Sequence, residues 1–351
     1  MFSKSTASTT EKRVAITNVD SWLGYCSAYG LAQELEKKCQ EVTLVCLACN
    51  TDRLDKLKGL KNVHIVKVDY NDTNQLEKAL QGVSCTILIP ELDERRAEFG
   101  KNVLDAMNKQ GVKSCMMISC DGASEDCDLK SIESFCRLEK QVEQSCSSCY
   151  LILRKGFLNQ CFFFWSYAVK EKAEFPLTIE KDNKMAPLDT HDLVGAITSI
   201  VVKKCQDTDH GPGFGSHKNK TYTLTGPNEL TPEHFVRELS DAIGKEVKLR
   251  HVERDELKKY LESLMHRPVL PMRISEDAPM AAGGGGHNHD DHEYFPINEA
   301  MIELLLDELE MIKRGKAGFA SNDLEKILGH QGKSVRDFLR KEKDAFKPNH
   351  V

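Results

Sequence analysis

Asn18, Ser21 and Gly24 hold the three positions at which a nucleotide-binding strand–turn–helix carries glycines. They follow the short apolar run Val14-Ala15-Ile16, and a helical pattern opens at Leu23-Gly24. In such a turn the first glycine permits the bend and the second lets backbone approach a pyrophosphate. The third allows close packing, and it alone survives here. Asn tolerates a positive φ, so Asn18 still suits the bend. Ser21 puts a side chain where backbone should meet phosphate. Asp20 or Ser21 is expected to cap the helix by accepting its free N–H groups. A capping carboxylate would stand in the anion site that the helix dipole offers. At ~5 Å and an effective dielectric of ~20 it would cost a phosphate charge about 3 kcal/mol. The layout is that of a dinucleotide site with eroded chemistry, contributed by Thr17, Asn18, Ser21, Leu23 and Gly24.

The elements that must position these residues are legible as apolar runs. Strands are expected at 13–18, 42–47, 63–68, 84–89, 113–119 and 150–154, with helices at 24–39, 52–58, 73–81, 95–110 and 129–147. The runs are nearly continuous, which suits strands buried on both faces. Strand–helix alternation gives an α/β fold with a doubly wound, parallel Rossmann-type sheet. Right-handed crossovers bring every strand's carboxyl end to one edge, where ligands bind. The expected division is a short disordered lead-in over 1–12, a Rossmann-type domain over 13–155, and a smaller, mainly helical lobe over 156–351. That lobe begins with the aromatic-rich stretch from Phe157 to Trp165. It carries helical patterns at 189–204, 231–243, 253–265, 298–313, 321–329 and 334–345. In 298–313, Ile302, Leu305, Leu306, Leu309 and Ile312 form one stripe with charges elsewhere, a core-facing pattern.

Composition narrows the function classes. The 351 residues are 40% hydrophobic and 29% charged, with net charge −6. That balance lacks the basic surface nucleic-acid binding requires. No run reaches the ~20 apolar residues of a membrane span, and the first residues have no apolar core of a secretory signal. Thirteen cysteines without such a signal point to reduced thiols in the cytosol or nucleus. Cys46/Cys49 and Cys146/Cys149 invite a four-cysteine zinc site. They fall at opposite ends of parallel strands, which opposes a shared metal. Residues 279–293 contain four consecutive glycines and read as a flexible loop. His287, His289 and His292 there, with Asp290 and Asp291, are weak metal-ligand candidates, and no metal cofactor is expected.

Further blocks are Asp69 in HIVKVDYND, Pro90 in TILIPEL, Gly100 to Ala106, and Val142-Glu143 before YLILR and Gly156-Phe157. Later come Asp189 to Asp192, Thr223-Leu-Thr-Gly-Pro227 with Leu230-Thr-Pro232, Asn322 to Gly329, Asp337-Phe338 and Phe346 to Pro348. From about residue 12 to 348 these resemble the NmrA-like family of atypical short-chain dehydrogenase/reductases. The resemblance implies one of two functions. Some members are NADPH-dependent reductases of quinones or related carbonyls. Others are regulators that bind dinucleotides and contact partner proteins.

The same resemblance assigns roles. Leu47 stands where NADPH-using members carry an Arg for the 2′-phosphate. Asp69, Pro90 and Ser119 would flank adenine and nicotinamide, Asp69 serving equally well as a turn former. No Tyr occurs between Tyr70 and Tyr150, so the usual catalytic acid is absent. Glu139 takes the place of the family's Lys, and Lys140 is turned ~100° away from it. Ser119 and Lys140 remain as weak catalytic candidates. Lys155, Gly156 and Phe157 would line the substrate or partner cleft, where a solvated Lys155 is expected. These changes together favour a protein with a weakened NAD(P) site, acting as a dinucleotide-responsive regulator or interaction scaffold. Such a protein would have a protein partner and neither nucleic-acid nor membrane contacts. The alternative is an NAD(P)H-dependent quinone or carbonyl reductase with atypical contacts, and a self-assembling structural protein is the third.

Overall fold

The computed structural model describes residues 12–206, 214–271 and 294–347. The expected lead-in lies outside them except for Lys12, and so do the 279–293 loop and its histidines.

The first half alternates as the apolar runs require. Its elements are β1 (Lys12–Ile16), α1 (Trp22–Lys38), β2 (Val42–Ala48), α2 (Asp55–Lys58), β3 (Val63–Lys67), α3 (Thr73–Ala79), β4 (Val83–Leu88), α4 (Arg96–Lys109), β5 (Cys115–Cys120), α5 (Lys130–Ser145) and β6 (Tyr150–Lys155). The second half adds α6 (Ser166–Lys172), β7 (Glu174–Leu177), α7 (Thr190–Gln206), β8 (Lys220–Leu224), α8 (Pro232–Ile243), β9 (Lys248–His251), α9 (Arg254–Glu262), β10 (Leu270–Pro271), β11 (Tyr294–Phe295), α10 (Glu299–Lys313), α11 (Asp323–Leu328) and α12 (Val335–Glu342).

The central sheet has seven parallel strands in the order β3-β2-β1-β4-β5-β6-β8. This is the doubly wound order, with a ligand crevice where the order reverses at β1/β4. β5 is buried throughout, whereas the edge strands β3 and β8 are partly exposed. Because β8 joins from residue 220, the sheet crosses the expected boundary at 155. The short, half-exposed run KTYTL carries too little apolar signal to announce a strand.

Local signals place the later helices. Thr231 caps α8 by accepting from His234 N–H, Pro232 fills its first turn, and Gly244 ends it at φ 71°. The LTP motif is therefore a helix start. The aromatic run packs as a cluster, with Phe162 4.0 Å from Phe235 and Trp165 5.1 Å from Phe175 between ring centroids. Among the described residues no helix is long and apolar enough to cross a membrane.

Candidate functional site

The β1–α1 turn is tied to its neighbours by almost every donor it has. Asn18 sits at φ 55°. Its backbone N–H donates to Tyr70 Oη at 2.7 Å, and its Nδ2 donates to Pro90 carbonyl oxygen at 3.0 Å. Thr17 Oγ1 donates to Ile89 carbonyl oxygen at 2.8 Å and accepts from Ile89 N–H at 2.9 Å. These bonds fasten β1 to the end of β4. Ser21 is the helix cap: its hydroxyl accepts from Gly24 N–H at 3.1 Å and donates to Asn18 carbonyl oxygen at 2.8 Å. Val19 and Ser21 N–H groups go to Leu47 and Asn18. Among the described residues, Trp22 and Leu23 N–H groups are left for an anion at the positive end of α1.

Asp20 takes no part in capping. Its Oδ2 accepts from Asn50 N–H at 2.6 Å, two residues beyond β2, and its Oδ1 is buried without a hydrogen-bond partner. Burial raises its pKa above the ordinary carboxylate value. Leu47, the position read from the family as an arginine site, is fully buried inside β2. A guanidinium there would enter the core, because β2 runs one residue further, to Ala48. Asp69 Oδ1 accepts from both Asn71 N–H and Asn71 Nδ2 at 2.9 Å, so it builds the turn after β3.

Glu91, one residue past Pro90, escaped the sequence reading. Burial first, then Asp20 and Asp93, push its carboxyl up to about 8, and its Oε1 has no partner. The only signal was an acid directly after the Pro90 that ends the β4 run. A carboxyl neutral in the fold favours the folded state while it stays protonated. Stability should thus fall as pH rises from about 4.5 to about 8. Urea midpoints at pH 5 and pH 9 should differ in that direction, and Glu91→Gln should shrink the difference. An unchanged profile in the variant would refute the assignment.

The ends of β5 and β6 are closed by ion pairs. Glu139, 5% exposed, accepts Arg154 Nε at 2.9 Å and Arg154 Nη2 at 2.6 Å, and Ser119 Oγ at 2.5 Å. Ser119, itself fully buried, therefore has its proton spent on a carboxylate. Lys140 turns to solvent and pairs with Glu125 at 2.8 Å, away from this network. Lys155 is 7% exposed and pairs with Glu308 of α10, which corrects the expectation of a solvated side chain. Burial works against its ammonium, yet Glu308 beside it raises the pKa above the ordinary lysine value. Asp307 and Glu308 are both buried, so the charges of α10 are not confined to its outer face as its stripe suggested. Gly318 N–H donates to Asp121 Oδ2 at 2.9 Å after β5. The space left among Cys120, Lys155, Phe157, Glu308 and Gly318 is about 10 Å³, room for about one water.

A strap crosses the other end. Trp22 Nε1 donates to Pro271 carbonyl oxygen at 3.1 Å, and β10 pairs with β11. Arg53 Nη1 donates to Tyr294 carbonyl oxygen at 2.7 Å, and the Phe295 ring lies 5.5 Å from that of Tyr25. Asn298 Nδ2 donates to Leu92 carbonyl oxygen at 3.2 Å. The segment from Tyr294 to Asn298 thus runs from the β2 side to the β4 side across the edge where β1 ends. Four residues reach at most ~14 Å, enough for the two ~4.8 Å strand spacings between.

Residues 30–159 match a protein family described as NAD(P)H-binding. The match begins at Gly30, past the altered turn. An NADPH-dependent quinone oxidoreductase of Escherichia coli, solved with NADPH, superposes with TM-score 0.70 at 22% identity, over 93% of this chain and 98% of that one. NmrA, a negative transcriptional regulator, superposes with TM-score 0.65 at 13% identity, over 94% and 95%. These likenesses show the fold, a Rossmann-type parallel sheet of the kind both proteins share. An NAD(P)H azoreductase of Xenophilus azovorans is 24% identical over 188 residues, 54% of this chain and 61% of the enzyme, so the match spans less than two thirds of that relative.

The two cysteine pairs that invite a zinc site lie apart. In this sheet Cys46 and Cys49 lie at the carboxyl end of β2, and Cys146 and Cys149 precede β6 at the opposite edge. Among the described residues no three His, Cys, Asp or Glu side chains gather as metal ligands.

Proposed function

We propose that the chain is a non-catalytic, dinucleotide-responsive regulator or interaction scaffold. The observation that carries this reading is the network at Glu139. The position that would present a cation to the cofactor holds a buried carboxylate, satisfied by Arg154 and Ser119. A proton donor already committed to a carboxylate is poorly placed to protonate a substrate. Binding is a separate matter. The turn keeps two helix N–H donors, and the strand order reverses at β1/β4, where such folds bind ligands. A dinucleotide laid across that edge would displace the strap anchored by Trp22, Arg53 and Asn298, coupling occupancy to a surface rearrangement. That rearranged surface is where a protein partner would read the ligand. Thirteen free thiols suit the cytosol or nucleus.

A reductase is the second reading. One observation favours it: a groove of about 1000 Å³ beside α5 and α10, lined by Arg96, Glu133, Arg254, Glu303, Asp307 and Arg314 among others. The azoreductase and quinone-reductase relatives agree with it. Single-turnover mixing with NADH or NADPH and a quinone separates the two. The expected result is no hydride transfer above the uncatalysed rate, while dinucleotide raises the melting temperature by mass action and changes Trp22 emission. Hydride transfer to the quinone would establish the reductase instead.

A further inference from the structure

Asp20 stands where a Rossmann cleft reads the adenosine ribose. At the carboxyl end of β2 an acid accepts from the ribose hydroxyls, or an arginine accommodates a 2′-phosphate. The strand itself supplies neither group here. Leu47 is buried in the sheet, and Ala48 and Cys49 carry no charge suited to the task. Arg53, the nearest cation along the chain, is held by the Tyr294 carbonyl. The carboxylate arrives instead from the β1–α1 turn. Asn50 N–H fixes its Oδ2 at 2.6 Å, which orients the group, and its Oδ1 is buried and lacks a donor. A buried acceptor left unmade is costly and calls for a donor. Glu91, across the crevice from the end of β4, has an unpartnered oxygen of its own. A ribose diol brings O–H donors to such a place. A 2′-phosphate brings only acceptors and up to two negative charges.

We propose that Asp20 is the ribose-reading residue and that the ligand is an adenosine dinucleotide without a 2′-phosphate, NAD⁺ or NADH. The proposal rests on the dinucleotide-responsive reading above. It departs from the NADPH preference that the quinone-oxidoreductase likeness suggests.

The test is calorimetric titration of the full chain with NAD⁺, NADH, NADP⁺ and NADPH at one ionic strength. The expected result is at least tenfold tighter binding of NAD(H) than of NADP(H). Asp20→Asn keeps an oxygen for Asn50 N–H and removes the charge. It should bring the ratio to within threefold, by weakening NAD(H) and relieving NADP(H). Wild-type chain that binds NADP(H) as tightly as NAD(H) would overturn the role of Asp20 while leaving the dinucleotide reading intact. So would an unchanged ratio in the variant. Failure of all four ligands to bind would overturn both. The wild-type ranking decides the matter even if the variant does not fold.

Discussion

Lys155→Met is expected to lower stability by about 3–5 kcal/mol, because it leaves Glu308 charged, buried and alone. Both side chains of the pair are under a tenth exposed. The Cys120 thiol also donates to the Glu308 carboxylate, its Sγ 3.4 Å from Oε1. Replacing both partners, Lys155→Met with Glu308→Met, should cost far less than the single change, since an apolar pair avoids desolvating two charges. Urea denaturation of the two single variants and the double gives the coupling directly. The structural consequence can be read by hydrogen exchange. The single variant should lose protection over α10 and the segment through Gly318, which this pair and Asp121 hold against the ends of β5 and β6. A loss under about 1 kcal/mol for Lys155→Met, the range of exposed pairs, would show that the pair is solvated and this end of the sheet open.

Gly24→Ala is expected to cost about 3 kcal/mol or more, at or above the usual range of overpacking. A Cβ at this position would stand 1.9 Å from the Asn18 carbonyl oxygen and 2.6 Å from its carbon. That backbone cannot yield. Asn18 is held at positive φ by bonds to Tyr70, Pro90 and Ser21. Gly30→Ala is the control. Its Cβ would meet only the Val194 side chain, at 2.5 Å, and a side chain can adjust, so a cost nearer 1 kcal/mol is expected. Guanidinium midpoints of the two variants compare them. Equal losses would mean that the turn backbone adapts, and that Gly24 is dispensable for the crevice.

The six strands of the first half were legible because each is a compact apolar run. Helix positions followed from apolar patterns, and the structure adds the caps that start them, as Thr231-Pro232 shows. Of the two residues expected to cap α1, Asp20 or Ser21, Ser21 takes the role. Reading by type went astray where a side chain's fate depends on a distant partner. Lys155 looked solvated by type, and its partner lies 153 residues away. Glu91 gave no periodic or motif signal beyond its position after Pro90.

The sequence by itself determined the α/β alternation, the parallel sheet and the missing glycines, because hydrophobic period and turn propensity are local properties of the chain. The tertiary structure alone decided where charges and donors come to rest. It carried Asp20 to the end of β2, sealed Glu139 with Arg154, set Glu308 of α10 on Lys155, and laid the strap of Tyr294 to Asn298 across the crevice. The reason is physical. A buried charge is tolerated only where the fold supplies its partner, and that partner is chosen by packing rather than by nearness in sequence.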